Sequence, residues 1–129
     1  MNQTNNEIDK DKILEILRKV KDPELNANLV EYNLIKPEFI FIDHEKKEIQ
    51  VLWVPTTPFC PLILYISAAI KYILEKNLSS WKVKVKLHPD VIGSDTWNKR
   101  LNNDAELNSI IGEIRNKGWL HYFIVGEIE

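Results

Sequence analysis

The chain passes from an apolar strand-like run to a long apolar helix-like run through Pro55-Thr56-Thr57-Pro58-Phe59-Cys60-Pro61. This short polar loop holds the single cysteine of the chain. Pro61 suits the first position of a helix, so the pattern predicts that the Cys60 thiol lies just ahead of a helix N-terminus. Unpaired backbone N–H groups and the positive end of the helix dipole stabilise a thiolate at such a position. The loop is therefore a candidate site for thiol chemistry.

Periodicity on both sides of the loop predicts a small sheet and a core helix. Residues 39–42 and 49–54 are apolar runs separated by the charged segment 43–48, which predicts an antiparallel hairpin. Residues 49–54 carry apolar side chains on both faces over part of their length, as a central strand does. Residues 62–76 are apolar around most of a helix, whereas residues 81–87 alternate apolar side chains with lysine, as a strand does.

The N-terminal third of the chain contains two helix signals and one turn signal. Helical spacing of apolar residues over 13–20 predicts an amphipathic first helix. Asp22-Pro23-Glu24-Leu25 has the pattern of a second helix start, with a capping acid, a first-position proline and an acid in the first turn. Plain capping is the simplest role for Asp22 and Glu24. Asn33 is a candidate for the left-handed backbone conformation.

The C-terminal third is expected to contain a loop, a short helical turn and a last helix. Asp95 or Thr96 suits the cap of the short turn. The last helix is expected to run from Asp104, as its cap, to Lys117. The apolar residues 119–125 either pack back on the domain or meet a partner.

The element order is therefore α-β-β-α-β-α, which predicts an α/β (α+β) fold: a small mixed three-stranded sheet with helices packed against it. In this order the Cys60 loop lies at the carboxyl end of a strand, where ligands of α/β sheets bind. The 129 residues suit one domain. We divide them into a flexible N-terminus at 1–7, the domain at 8–120 and an apolar C-terminal tail at 121–129.

Composition narrows the possible functions. A net charge of −2 argues against nucleic acid as the main ligand. The alternation of Lys82, Lys84 and Lys86 with apolar residues is more typical of a solvated face or a protected sheet edge than of an acid-binding stripe. A lone cysteine favours a reducing, cytoplasmic compartment. No signal peptide or membrane-spanning run is visible in the sequence, so neither export nor a membrane partner is expected.

Cys60 has several possible roles. Spacing alone leaves open whether it is a functional thiol or a small buried apolar residue. An enzymatic thiol would need a base, and His88 at the end of the third strand is the histidine whose placement suits that role. A soft thiolate also suits an iron–sulfur centre. Because such a cluster takes four cysteines, it would be shared with a second subunit, a partner, a client or a small thiol.

Several motifs resemble the SufT/PaaD-like iron–sulfur assembly domain family. Asp22-Pro23-Glu24-Leu25, Leu34-Ile35 and the loop at 56–61 are similar to its Asp-Pro-Glu and Thr-x-Pro-x-Cys signatures. Residues 97–107 are similar to the Val-Asn-Lys-Gln-Leu-x-Asp-Lys-Glu-Arg-Val stretch of one branch. That branch contains the eukaryotic cytosolic iron–sulfur assembly (CIA) targeting-complex subunit and archaeal relatives. The resemblance covers nearly the whole chain.

The resemblance implies a non-enzymatic adaptor or carrier that helps deliver iron–sulfur clusters to apoproteins in the cytosol and nucleus. Its implied partners are a WD-repeat CIA protein, a helical-repeat CIA adaptor and iron–sulfur apoprotein clients. A homodimer and a transient shared cluster are also expected. Cys60 would be the functional thiol or metal ligand. The supporting residues would be Asp22, Glu24, Thr56 and Thr57, and the partner contacts Asn98, Lys99 and Arg100.

The sequence departs from the family pattern at two places. The branch has a Pro-Gly-Thr-His segment after the third strand, whereas residues 89–93 lack that histidine and are one residue shorter. The usual glycine is replaced by Asn33. Two rival functions stay open: a Cys60-dependent thiol enzyme, and a PaaD-like accessory subunit of a multicomponent oxygenase, against which residues 98–101 argue.

Overall fold

The structure is a computed structural model that describes residues 8–25, 27–57 and 62–126. Its helices and strands, in chain order, are α1 (Lys10–Leu17), β1 (Lys21–Asp22), β2 (Ala27–Asn28), β3 (Ile40–Asp43), β4 (Glu48–Trp53), α2 (Ile63–Asn77), β5 (Lys82–Leu87), α3 (Ser94–Leu101), α4 (Asp104–Asn116) and α5 (Leu120–Phe123). A 3-10 helix, Pro37–Phe39, precedes β3. No helix in these ranges is long and apolar enough to cross a membrane.

The centre of the fold is a mixed sheet of three strands in the order β3-β4-β5. β3 and β4 pair antiparallel, and β4 and β5 pair parallel, joined by α2. The predicted hairpin, the central position of β4 and the mixed three-stranded sheet are confirmed. Because β4 and β5 run parallel, their carboxyl ends lie at the same edge of the sheet.

One face of the sheet forms the core with α2. Ile49, Val51 and Trp53 of β4 are fully buried on this face. α2 contacts β5, α1 and α4, and most of its residues are buried, which confirms the predicted core helix. The Trp53 Nε1 group donates to Ser67 Oγ of α2 at 3.0 Å, so the one polar atom of this indole is paired inside the core.

The other face of the sheet, which we call the outer face, is only partly covered. Its strand residues are half-buried or exposed, and Phe41 is 49% exposed. Leu52 is half-buried, so the second face of β4 is covered over part of its length, as predicted. The outer-face side chains are Phe41, Asp43, Glu48, Gln50, Leu52, Lys82, Lys84 and Lys86.

The predicted helix start at residues 22–25 is wrong. Asp22 ends β1, and Pro23, Glu24 and Leu25 form a turn toward β2, which pairs antiparallel with β1. We call residues 22–25 the acidic turn. Asp22 Oδ1 accepts from the Glu24 amide at 2.9 Å, and the Asp22 carbonyl accepts from the Leu25 amide at 3.0 Å. An aspartate followed by proline suits a turn as well as a helix cap, and strand pairing favours the turn here.

Both predicted caps in the C-terminal third are shifted. α3 begins after Gly93, whose φ of 80° is in the left-handed region, so neither Asp95 nor Thr96 is its cap. At α4 the cap is Asn103, whose Oδ1 accepts from the Glu106 amide at 3.0 Å. Asp104 instead occupies the first helical position, where its negative charge interacts favourably with the positive end of the helix dipole.

The apolar segment at 119–125 packs back on the domain, which was one of the two predicted outcomes. Phe123 and Ile124 are buried. Ile124 forms an antiparallel bridge with Val20, and the Val125 amide donates to the Lys19 carbonyl at 2.8 Å. Ile124 and Val125 therefore form a short extended segment beside the residues that precede β1.

Candidate functional site

The segment at residues 55–61, which we call the thiol loop, follows the carboxyl end of β4. Pro55 is buried, and Thr56 and Thr57 are exposed. α2 begins at Ile63, and its N-cap residue, Leu62, provides no side-chain hydrogen bond to the first turn. The segment 58–61, including Cys60 and Pro61, lies outside the described residues. The position of the thiol ahead of the helix N-terminus therefore stays a prediction, and the flanking residues lie where that prediction requires.

Backbone hydrogen bonds connect the acidic turn to the thiol loop. The Leu29 amide donates to the Val20 carbonyl at 3.0 Å, the Leu34 amide donates to the Leu29 carbonyl at 2.9 Å, and the Val54 amide donates to the Leu34 carbonyl at 2.9 Å. Val20 lies two residues before the acidic turn, and Val54 lies two residues before Thr56. The two motifs are thus fixed to one continuous backbone framework.

The middle of this framework depends on a tight turn at Asn33. Asn33 has a φ of 59°, and its amide donates to the Val30 carbonyl at 3.0 Å. The predicted left-handed conformation is confirmed. Asparagine tolerates this conformation better than most residues, which explains why it can replace the family's glycine. The turn lets Leu29 and Ile35 both enter the core, where they are 0% and 1% exposed.

The two acids of the acidic turn have different environments. Asp22 is 1% exposed, and its carboxylate accepts from the turn backbone, whereas Glu24 is exposed. No hydrogen bond between residues that the structure describes joins either acid to Thr56. Asp22 is therefore a structural residue of the turn, and Glu24 places a negative charge on the surface. Their support of the thiol stays a prediction, and the backbone framework is the connection through which it would act.

His88 lies just beyond β5, at the same sheet edge as the thiol loop. Its amide donates to the Trp53 carbonyl at 3.0 Å. Its Nδ1 accepts from the Asp90 amide at 3.1 Å, and its ring centroid lies 4.9 Å from that of Phe39. These contacts fix the ring and engage one nitrogen with the backbone. A role for His88 as a base toward Cys60 stays a prediction.

The three predicted partner contacts on α3 have different surroundings. Asn98 Oδ1 accepts from the Leu87 amide at 2.8 Å, and its Nδ2 donates to the Leu87 carbonyl at 3.2 Å, so this side chain completes the free edge of β5. Lys99 is exposed. Arg100 donates to the Glu106 carboxylate, and this hydrogen bond raises the pKa of Arg100. Sequence reasoning missed the role of Asn98, because the edge of β5 becomes known only with the sheet order.

No metal centre is visible within residues 8–25, 27–57 and 62–126. In these ranges no group of three or more His, Cys, Asp or Glu side chains could hold a metal ion.

The described residues form a small mixed-sheet domain, and the sequence places a Thr-x-Pro-x-Cys segment between its central strand and its core helix. The chain belongs to the iron–sulfur cluster assembly protein family, whose model matches residues 10–92, more than half of its length. This membership confirms the resemblance inferred from the motifs.

Individual relatives agree with this assignment. A MIP18 family protein of Caenorhabditis elegans is 30% identical over 118 residues, which cover 88% of this chain and 72% of that protein. Cytosolic iron-sulfur assembly component 2B of Dictyostelium discoideum is 29% identical over 107 residues, covering 81% and 66%. A crystal structure of a domain of unknown function, DUF59, from Bacillus anthracis is similar in fold, with a TM-score of 0.57 at 23% identity over 63% of this chain and 74% of that chain.

Proposed function

We propose that this chain is a non-enzymatic adaptor or carrier in cytosolic iron–sulfur protein maturation, with Cys60 at its working surface. The observation that carries the proposal is the family match over residues 10–92, which includes both the acidic turn and the thiol loop. Relatives named as cytosolic iron–sulfur assembly components support the same role and a cytosolic location. A nuclear location is supported only by the motif resemblance.

In the proposed mechanism, the Cys60 thiol either binds an iron–sulfur cluster or forms part of the surface that contacts a client protein. A thiolate is a soft ligand suited to iron–sulfur centres. α2 begins three residues after Cys60 in the sequence, so the positive end of its dipole would favour a thiolate there. A single cysteine supplies one ligand, so a bound cluster would take its other ligands from a client, a partner or a second copy of the chain. The cluster in this scheme is cargo.

The proposed partners are a WD-repeat CIA protein, a helical-repeat CIA adaptor and iron–sulfur apoproteins. The CIA names of the relatives support interaction with that machinery in general. The individual partners are our inference from the motifs.

Anaerobic affinity purification from the source cells tests this function. The baits are the native chain, Cys60→Ser and the exposed-site control Ser79→Ala, and retained proteins are identified by mass spectrometry. We expect the native bait and the control to retain a WD-repeat protein, a helical-repeat protein and iron–sulfur apoproteins, and Cys60→Ser to lose the apoproteins. Absence of all these classes from the native bait would contradict the assembly function.

A further inference from the structure

On the outer face of β5, the number of carboxylates near each lysine differs between the two ends of the strand. Lys82 lies in register with Glu48 at the start of the strand. Lys82 and Lys84 also share one carboxylate, because the Nζ of each lies 3.9 Å from Asp104 Oδ2. One aspartate thus faces two ammonium groups. Positive charge is partly balanced at this end of the strand.

At the carboxyl end of β5 the lysines have fewer carboxylate partners. Lys86 lies in register with apolar Leu52. Lys99 of α3 is exposed close by. Neither ammonium group forms an ion pair with any carboxylate that the structure describes. These two lysines contrast with Arg100, the next residue of α3, which is paired with Glu106.

An open cavity of about 420 Å³ lies between these two lysines. Asp95 also lines the cavity, so its lining contains two ammonium groups and one carboxylate. Asn98 is engaged with the β5 backbone, whereas Asn102 adds an exposed amide to the lining. The lining residues are Lys86, Asp95, Asn98, Lys99 and Asn102.

We propose that this cavity, which we call the β5–α3 cavity, binds an acidic segment of a partner protein. Carboxylates of such a segment complement the ammonium groups of Lys86 and Lys99, and the Asn102 amide offers a further donor. The lysine stripe therefore serves in part as an acid-binding surface, in contrast to the solvated face that its sequence pattern favours. A protein segment fits better than nucleic acid, because binding to nucleic acid depends on many Lys and Arg contacts to phosphates and this cavity offers two lysines.

The position of the cavity relates it to the thiol loop. Lys86 pairs in register with Leu52, two residues before Val54, so the cavity and the loop share the same edge of the sheet. A bound acidic segment would hold its protein beside this edge. The biological meaning of the cavity thus rests on the proposed adaptor function, whereas its preference for acidic segments is a property of the purified chain.

Fluorescence anisotropy on the purified full chain tests the proposal. The probe is a fluorescein-labelled peptide, Ser-Glu-Glu-Leu-Glu-Glu-Ser, and the control probe has glutamine in place of each glutamate. We expect the acidic probe to bind more tightly and its binding to weaken with added salt. The double variant Lys86→Gln and Lys99→Gln should weaken binding about five- to tenfold, in proportion to two exposed ion pairs. The matched double variant Lys10→Gln and Lys12→Gln on α1 should bind as the native chain does.

Equal binding of the two probes, or equal loss in the two double variants, would overturn the proposal. A single-stranded DNA oligonucleotide that binds more tightly than the acidic peptide, and loses binding in the cavity variant, would assign the surface to nucleic acid and overturn it as well. Circular dichroism of the variants checks that they fold. Failure of this proposal can be distinguished from failure of the adaptor function. The anisotropy experiment compares lysine variants of the purified chain, whereas the affinity purification compares the native chain with Cys60→Ser.

Discussion

The backbone amide of Val54 donates a hydrogen bond to the carbonyl of Leu34 at 2.9 Å, and this bond joins the start of the thiol loop to the segment that follows the acidic turn. Leu34 is bonded in turn to Leu29, and Leu29 to Val20. Two motifs far apart in the sequence are therefore parts of one backbone framework. We expect the acidic turn to support the thiol loop through this framework, so substitutions that loosen the turn should act on the loop.

Asp22→Ala should destabilise the protein more than Glu24→Ala. Asp22 is buried and its carboxylate caps the turn, so its loss should lower the free energy of unfolding by about 1–2 kcal/mol. Glu24 is exposed, and its replacement should change that free energy by less than about 0.5 kcal/mol. Urea unfolding measures both values. Equal effects of the two substitutions would show that the turn does not depend on the Asp22 carboxylate.

Asn98→Ala should destabilise the protein although the residue lies on a partly exposed helix. The substitution removes both hydrogen bonds to Leu87 and leaves the β5 edge unpaired there, at a cost of about 1–3 kcal/mol. Lys99→Ala, at the next position of the same helix, is the control and should cost less than about 0.5 kcal/mol. Thermal unfolding followed by circular dichroism distinguishes them. A fully stable Asn98→Ala protein that loses only partner binding would instead favour the predicted contact role.

In the Lys71–Glu75 ion pair on α2, substitution of Glu75 should destabilise the protein more than substitution of Lys71. Glu75 Oε2 lies 2.7 Å from Lys71 Nζ and also accepts from the Val83 amide at 3.2 Å. Glu75→Gln leaves the buried ammonium group without a counter-charge and should cost about 1–3 kcal/mol. Lys71→Met removes the buried charge while keeping the apolar stem, and should change stability by less than about 1 kcal/mol. Chemical unfolding of both variants is the measurement, and a larger loss in Lys71→Met would contradict this account.

Phe123→Ala should destabilise the protein strongly, because the C-terminal segment packs into the core. Phe123 is 4% exposed and its ring lies 6.0 Å from that of Tyr65 on α2. Truncation of a buried phenylalanine costs about 3–5 kcal/mol. Tyr122→Ala is the matched control, since Tyr122 is 51% exposed and should contribute little to stability. Similar unfolding midpoints for the two variants would indicate that the segment is not part of the folded core.

The elements that the sequence predicts correctly are those with a strong repeating pattern. Alternation in β4 and β5, and the broad apolar surface of α2, reflect burial that involves many side chains at once, so the pattern identifies them without knowledge of their partners. The motifs around Cys60 also identify the family.

The features that the sequence does not predict depend on distant partners. The acidic turn has local signals that suit both a helix start and a hairpin, and pairing of β1 with β2 decides between them. The contact of Asn98 with Leu87 requires that β5 be known as an edge strand. The β5–α3 cavity likewise requires that Lys86 and Lys99, which lie on different elements, come together in the fold.

The most direct test of the proposed adaptor function is the iron–sulfur content of client enzymes in source cells that carry only the Cys60→Ser chain. Serine removes the sulfur with little change in volume, and we expect the variant chain to unfold at nearly the same temperature as the native one. The account predicts that clients lose cluster-dependent activity and incorporated iron in the variant cells, while native cells retain both. Clients that are fully loaded in cells containing only Cys60→Ser would contradict the proposed role of the thiol.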